Sequence, residues 1–233
     1  MKLLSVVLIT AVVFISNCKE IEKDKPIPLE PSPIAVITAP PVNNTQPPQA
    51  YPQLAWNNES WDKTLIDNLK EKFNKIDQAK DLESLYPGYS KLTYEQRIKV
   101  LAELLVQLAK YESNWKNDCY YIESTMGTDP ITGRQVASEG LFQLSYQDQK
   151  NYLKHFDCGF DWEKDKSYGN KDPRKTIFDP GKNISCAVKI LARQVEKYGA
   201  ITINTGAYWS TLKIGSSHSK IDKIKVYLKG LKI

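Results

Sequence analysis

The chain has 233 residues, 41% of them hydrophobic and 25% charged, which is enough apolar material for one domain with its own core. A net charge of +5 fits a polyanionic surface without naming one, and only two histidines, His155 and His218, exclude a His-rich metal centre. Phosphate-loop motifs, nucleic-acid motifs and internal repeats are all missing from the sequence, so nucleotide-dependent and nucleic-acid-binding classes fall away.

Residues 1–17 read as an export signal. Lys2 gives a basic start, and Leu3 to Ile15 is an apolar run too short to span a bilayer. The run ends at Ile15-Ser16-Asn17-Cys18, which resembles a bacterial lipoprotein box, although no Leu stands three residues before the Cys. That resemblance implies lipidation at Cys18, a membrane tether and a place in the cell envelope. The alternative is an ordinary cleaved signal with a coincidental Cys. Residues 18–60 read as a tether, with prolines from Pro26 to Pro52 set among Asn, Gln and charged residues that cannot offset the entropy of ordering. Residues 61–233 remain as a single domain.

The elements of that domain are mostly helical. Leu65, Leu69, Phe73 and Ile76 recur on one face of a helix expected over residues 61–79. Thr93 and Gln96 form a capping-box pattern that opens a second helix, apolar nearly all round and so expected at the centre of the fold. Turn signals at Thr128-Asp129-Pro130 and Thr132-Gly133 suggest a small hairpin, and a short helix should follow Gln143. Asp179-Pro180 reads as an N-cap with Pro at the first helical position, and Gly199 as the stop of that helix. A helical segment is expected around Ala207-Tyr208-Trp209. The chain ends in a Lys-rich helix turning Ile221, Ile224, Leu228 and Leu231 inward, its lysines forming a solvated outer face or meeting an anionic polymer.

With Cys18 lipidated, Cys119, Cys158 and Cys186 allow one disulfide and one thiol left over. Cys186 lies off the apolar stripe formed by Ile184, Ala187, Val188 and Leu191, where it can face an overlying loop such as that of Cys158. Cys158–Cys186 is therefore favoured, with Cys119–Cys158 the rival. The CxxC spacing of a structural zinc site does not occur, and no metal is expected.

The carboxylate of most interest is Glu112. Ile98, Leu101, Leu104, Leu105 and Leu108 recur at helical spacing, and Glu112 stands four residues beyond Leu108, so the buried stripe turns Glu112 inward. Desolvation disfavours the charged form of such a Glu and raises its pKa, as a general acid near neutral pH requires. The competing reading is a surface residue on a frayed last turn.

Glu112-Ser113, Gly140-Leu141-Phe142-Gln143-Leu144, Asp179-Pro180-x-x-Asn183-Ile184 and Ala207-Tyr208 occur in this order. Together they resemble the soluble lytic transglycosylase domain, a relative of goose-type lysozyme. The resemblance covers roughly residues 93–215 and implies a mainly α, lysozyme-like single domain with little β structure, cutting MurNAc–GlcNAc β-1,4 bonds of peptidoglycan glycan strands. It also implies that Glu112 protonates the glycosidic oxygen and then acts as base on the muramic C6 hydroxyl, closing a 1,6-anhydro ring with no cofactor. Gln143 and Tyr208 take the places of sugar-contacting residues, and Ser113 and Ser138 join them as candidate substrate-binding groups. Trp209 stands where the family usually has Asn, either shaping a sugar subsite or filling core volume, and Phe142 replaces the usual Met. Arg134 occupies the place of a common Ser, whose role Ser138 is a candidate to assume. The segment between Glu112 and Gln143 is longer than usual. Its acids Asp118, Glu123, Asp129 and Glu139 read as loop and surface groups, although one acting as a water-orienting base would favour hydrolysis. The alternatives are therefore a goose-type lysozyme-like hydrolase and a non-catalytic peptidoglycan-binding envelope protein.

Overall fold

The computed structural model describes residues 51–233, so the expectations for residues 1–50, Cys18 among them, lie outside the described residues. The domain starts before the expected boundary at 61. Leu54 and Trp56 are core residues, fastened to the first helix by Asp62, which accepts from the Trp56 indole N–H at 2.6 Å and the Leu54 N–H at 3.3 Å. Proline content masked these two apolar residues, because a Pro-rich stretch reads as linker until its last few side chains find a core.

Helix α1 (Glu59–Ile76) is capped by Asn58, and it buries Leu65, Leu69 and Ile76. A short helix, α2 (Leu82–Leu85), and a 3₁₀ turn at Tyr89–Lys91 lead to α3 (Tyr94–Ser113). The Thr93–Gln96 capping box is complete: the Gln96 N–H reaches Thr93 Oγ1 at 3.4 Å, and the Thr93 N–H reaches Gln96 Oε1 at 2.9 Å. Helix α3 is the central element, with Ile98, Leu101, Leu104, Leu105 and Leu108 all essentially inaccessible. It ends where Asn114 and Trp115 adopt positive φ, which reverses the chain directly after Glu112 and Ser113.

The chain then makes a small antiparallel hairpin, β1 (Tyr120–Ile122) and β2 (Ala137–Glu139), with Tyr121 opposite Ser138. Two short helices, α4 (Tyr146–Tyr152) and α5 (Trp162–Asp165), precede α6 (Pro180–Tyr198). Asp179 caps α6 by accepting the Lys182 N–H at 2.9 Å, and Gly199 closes it at φ 73°. Helices α1 and α6 pack side by side, and α7 (Ile221–Lys229) covers α3 with Ile224 and Leu228. Lys223 and Lys229 of α7 are exposed, whereas Lys225 is half-buried and donates to Ser84 Oγ at 2.9 Å. Among the described residues the architecture is mainly α with one two-stranded sheet.

Cys158 and Cys186 form a disulfide that ties the loop after α4 to α6. Closing a loop with this separation of 28 residues is worth about 3–4 kcal/mol by unfolded-state entropy. None of the described cysteines is a free thiol, against the expectation of one left over. The segment Ala207–Trp209 also departs from expectation. It is irregular rather than helical, with a bend at Tyr208, and only Ser210–Leu212 forms a tight 3₁₀ turn. Gly206 at φ 79° breaks the run, and the Tyr208 N–H bonds to the side chain of Gln194 instead of to a carbonyl one turn back.

Candidate active site

Three local geometries meet at one groove of about 470 Å³: the end of α3, the hairpin with its following turn, and the segment 206–211. The turn after β2 is the most constrained. Gly140 has φ 78°, and a Cβ there would lie 2.3 Å from Asn183 Nδ2. Asn183, wholly buried on α6, accepts the Phe142 N–H at 2.9 Å and donates to the carbonyls of Glu139 and Ile177. This clamp holds Gln143 at φ 50°, a left-handed conformation that costs a non-glycine residue about 1 kcal/mol or more. The reward is position: Gln143 lines the groove, with its amide nitrogen bonded to the Gly140 carbonyl at 2.9 Å.

Glu112 lines the same groove. It is half-buried, its Oε1 is shielded from solvent, and that oxygen has no hydrogen-bond partner. Burial raises its pKa from the usual 4.5 to about 7; a hydrogen bond with Thr211 opposes the rise, and the negative charge of Glu123 adds to it. A carboxyl poised there is protonated in a large share of molecules at neutral pH and can give its proton to a glycosidic oxygen.

The other sequence-derived candidates separate into two groups. Ser138 and Tyr208 line the groove with Gln143. The Ser138 hydroxyl donates to Glu123 Oε1 at 2.5 Å, and the Tyr208 hydroxyl donates to Asp148 at 2.5 Å. Ser113, expected to bind substrate, does not line the groove. It is fully buried, and its hydroxyl is taken up by the carbonyls of Ala109 and Leu141 at 3.1 and 2.8 Å, stitching α3 to the Gly140 turn. Trp209 also lines the groove, yet it is only 3% exposed and spends its indole N–H on the Phe142 carbonyl at 2.9 Å, which ties the groove wall to the turn that carries Gln143.

The long segment between Glu112 and Gln143 holds the largest differences from expectation. Asp118 is exposed as expected, but Asp129 and Glu139 are buried rather than surface groups. Asp129 accepts from Ile131, Thr132 and Gln147 and so pins the β1–β2 connection to α4, while Glu139 pairs with buried Lys175. Glu123 reaches the groove itself. Arg134 lies away from it, with its guanidinium 4.8 Å from the Trp162 ring centroid. Sequence reasoning missed Thr211 and Asp148 altogether. Asp148 had one available signal, since it stands three residues after Ser145 as a capping-box acid.

A mainly helical domain with a short hairpin and a protonable glutamate at the end of its central helix defines a lysozyme-like domain. The family model of the transglycosylase SLT domain matches residues 91–213, and the chain belongs to that family. Membership brings peptidoglycan as the substrate and transglycosylase-type cleavage at the level of the family. Among solved structures the chain is similar to Bd0314 DslA, wild-type form 2, with 29% identity, a TM-score of 0.60, and coverage of 77% of this chain and 92% of that one. It is equally similar to two variants of DslA, each with one glutamate changed to glutamine at positions eleven residues apart. These have 28% and 30% identity, TM-scores of 0.59, and cover 76% and 77% of this chain and 92% of each of theirs. No curated protein matches the chain.

Proposed function

We propose that this protein is a lytic transglycosylase cleaving MurNAc–GlcNAc β-1,4 bonds to leave 1,6-anhydro-muramic ends. The observation that carries this reading is Glu112, a carboxyl raised to about 7 by burial in the groove, with one oxygen unpartnered. As the acid it protonates the leaving glycosidic oxygen; as the resulting carboxylate it takes the proton of the muramic C6 hydroxyl, which closes the ring on C1. The nucleophile is internal to the sugar, so one carboxylate suffices where ordinary glycosidases need two. Gln143 and Tyr208 suit sugar hydroxyls because an amide and a phenol hydrogen-bond without adding net charge. Mass spectrometry of digested sacculi tests the outcome: muropeptides with anhydro ends are expected, and reducing muramic ends alone would end the proposal.

Glu123 supports a second reading, hydrolysis. It lines the groove, and its charge reaches Glu112. Glu112 and Glu123 are eleven residues apart, as are the two glutamates replaced singly in the DslA variants. A second carboxylate so placed is what a water-activating base requires. Glu123→Gln separates the readings. Under the transglycosylase reading the anhydro product persists, and loss of the like charge lowers the Glu112 pKa, moving the alkaline limb of the pH–rate profile to lower pH. Reducing-end formation by the wild type that vanishes in Glu123→Gln would establish the hydrolase instead.

The site of action belongs to the same proposal: export by residues 1–17 and a lipid anchor at Cys18 would set the domain against the wall from the membrane. Metabolic labelling with a fatty acid reads this directly. The label is expected on the wild type and absent from Cys18→Ser, and an unlabelled wild type removes the anchor.

A further inference from the structure

We propose that Asp148 is a positioning residue that orients the Tyr208 hydroxyl beside Glu112. The inference rests on the reading of this groove as a glycan-cleaving site. A capping-box acid normally needs no burial, because the backbone N–H of the cap residue satisfies it at the surface. Asp148 does accept the Ser145 N–H at 2.8 Å, and Ser145 Oγ lies at 3.3 Å, yet it is only 3% exposed and lines the groove. Burying a carboxylate is costly unless further donors reach it. The donor that reaches it is the Tyr208 hydroxyl, 60 residues away in sequence, at 2.5 Å and on the same oxygen, Oδ2.

Tyr208 is thereby held at both ends. Its backbone N–H bonds to Gln194 Oε1 at 3.1 Å, its ring packs edge-on against Trp209 with centroids 4.7 Å apart, and its hydroxyl ends on Asp148. A phenol has one proton to donate. With that proton given to Asp148, the Tyr208 oxygen offers the groove lone pairs only. It accepts from a sugar hydroxyl or from protonated Glu112, and it does not donate to the Glu112 carboxylate, a bond that would hold Glu112 ionised. Asp148 thus keeps the acid in its proton-bearing form by deciding the direction of a neighbour's hydrogen bond.

The titratable groups facing Asp148 are Tyr208 from the segment after α6, Tyr152 on its own helix and the Asp129 carboxylate of the β1–β2 connection. Burial raises the Asp148 carboxyl to about 6, partly offset by the bonds from Tyr208 and Ser145, with Asp129 adding to the rise. Asp148 orients Tyr208 as an anion, so the rate should fall on the acid side as Asp148 protonates, and on the alkaline side as Glu112 loses its proton.

The test is the pH profile of kcat for sacculus digestion by full-length wild type, Asp148→Asn, Tyr208→Phe and the double variant. Loss of the oriented bond is expected to lower kcat about tenfold with little change in KM. Asp148→Asn should lose the acid limb and keep the alkaline one. Tyr208→Phe, whose Asp148 is intact, should lose the same acid limb, and the double variant should be no slower than Tyr208→Phe. Multiplicative losses in the double variant, or an acid limb that survives in Tyr208→Phe, would overturn the inference; the second readout stands even if Asp148→Asn does not fold. A wild type inert on sacculi at every pH would overturn the catalytic reading itself. An active wild type matched by both single variants would overturn the role of Asp148 alone.

Discussion

Replacing Glu112 by Gln is expected to slow sacculus digestion by about 10²–10⁴-fold, the range associated with removing a general acid, or roughly 3–5 kcal/mol of barrier. The amide preserves the volume of the side chain and can still accept from Thr211, so the groove keeps its shape while the transferable proton is lost. Stability should move the opposite way. The folded-state pKa of Glu112, about 7, lies above its ordinary value of 4.5, so the folded protein holds a proton that the unfolded chain releases between those limits. The contribution of that proton is complete below about 4.5 and is lost as the pH rises through about 7. At pH 8 the wild type carries a desolvated charge that Glu112→Gln does not. The variant should therefore melt at a higher temperature than the wild type at pH 8, with the difference closing at pH 4–5. Inactivity joined to higher thermal stability separates lost chemistry from lost structure. Wild-type digestion rates in the variant would remove Glu112 from the catalytic role, and a lower melting temperature at pH 8 would contradict its desolvation.

The same residue shows what is legible in a sequence. Glu112 stands on a stripe of leucines, and helical periodicity alone places it inward. The caps at Thr93 and Asp179 were equally readable, because capping depends on residues three or four apart. Cys158–Cys186 followed from Cys186 lying off its own helix's apolar stripe. Thr211, Asp148 and Glu123 act in the groove through partners far away in the chain, and no local pattern encodes such meetings. Ser113 illustrates the reverse error. Its place beside the candidate acid Glu112 suggested substrate contact, whereas its hydroxyl serves the carbonyl of Leu141, 28 residues on. Ala207–Trp209 was expected to be helical, but the side chain of Gln194 took the Tyr208 N–H and left the segment irregular. Asp129 and Glu139 looked like surface acids because burial of a carboxylate depends on what the rest of the chain brings to it.

For Glu139 that partner is Lys175, and its removal should produce the largest loss of stability among single substitutions near the site. Both side chains are 4% exposed and form an ion pair. The Lys175 ammonium also donates to the Asn170 carbonyl at 3.2 Å and stands over the Phe178 ring at 4.6 Å, with the Tyr120 and Tyr146 rings at 5.4 and 5.6 Å. Even so paired, Glu139 has its pKa raised to about 7 by burial, with Lys175 pulling it down. Lys175→Met fills the aromatic surroundings and strands the carboxylate, at a cost of about 3–5 kcal/mol when that carboxylate is ionised. Without the cation the Glu139 pKa must rise further, so the folded protein takes up a proton and evades most of the penalty in acid. The loss in urea midpoint should be large at pH 8 and small at pH 5. Lys175→Met with Glu139→Gln removes the stranded charge and should recover most of the stability at pH 8, since breaking a buried pair costs more than replacing both members. Equal losses at both pH values, or a double variant weaker than the single one, would show that the pair acts by packing rather than by charge. The consequence reaches the groove because Glu139 is joined by two backbone bonds to Leu144 and through its carbonyl to Asn183. The buried pair therefore braces the turn that holds Gln143 in the groove with Glu112, and Lys175→Met at pH 8 should depress kcat before the domain unfolds.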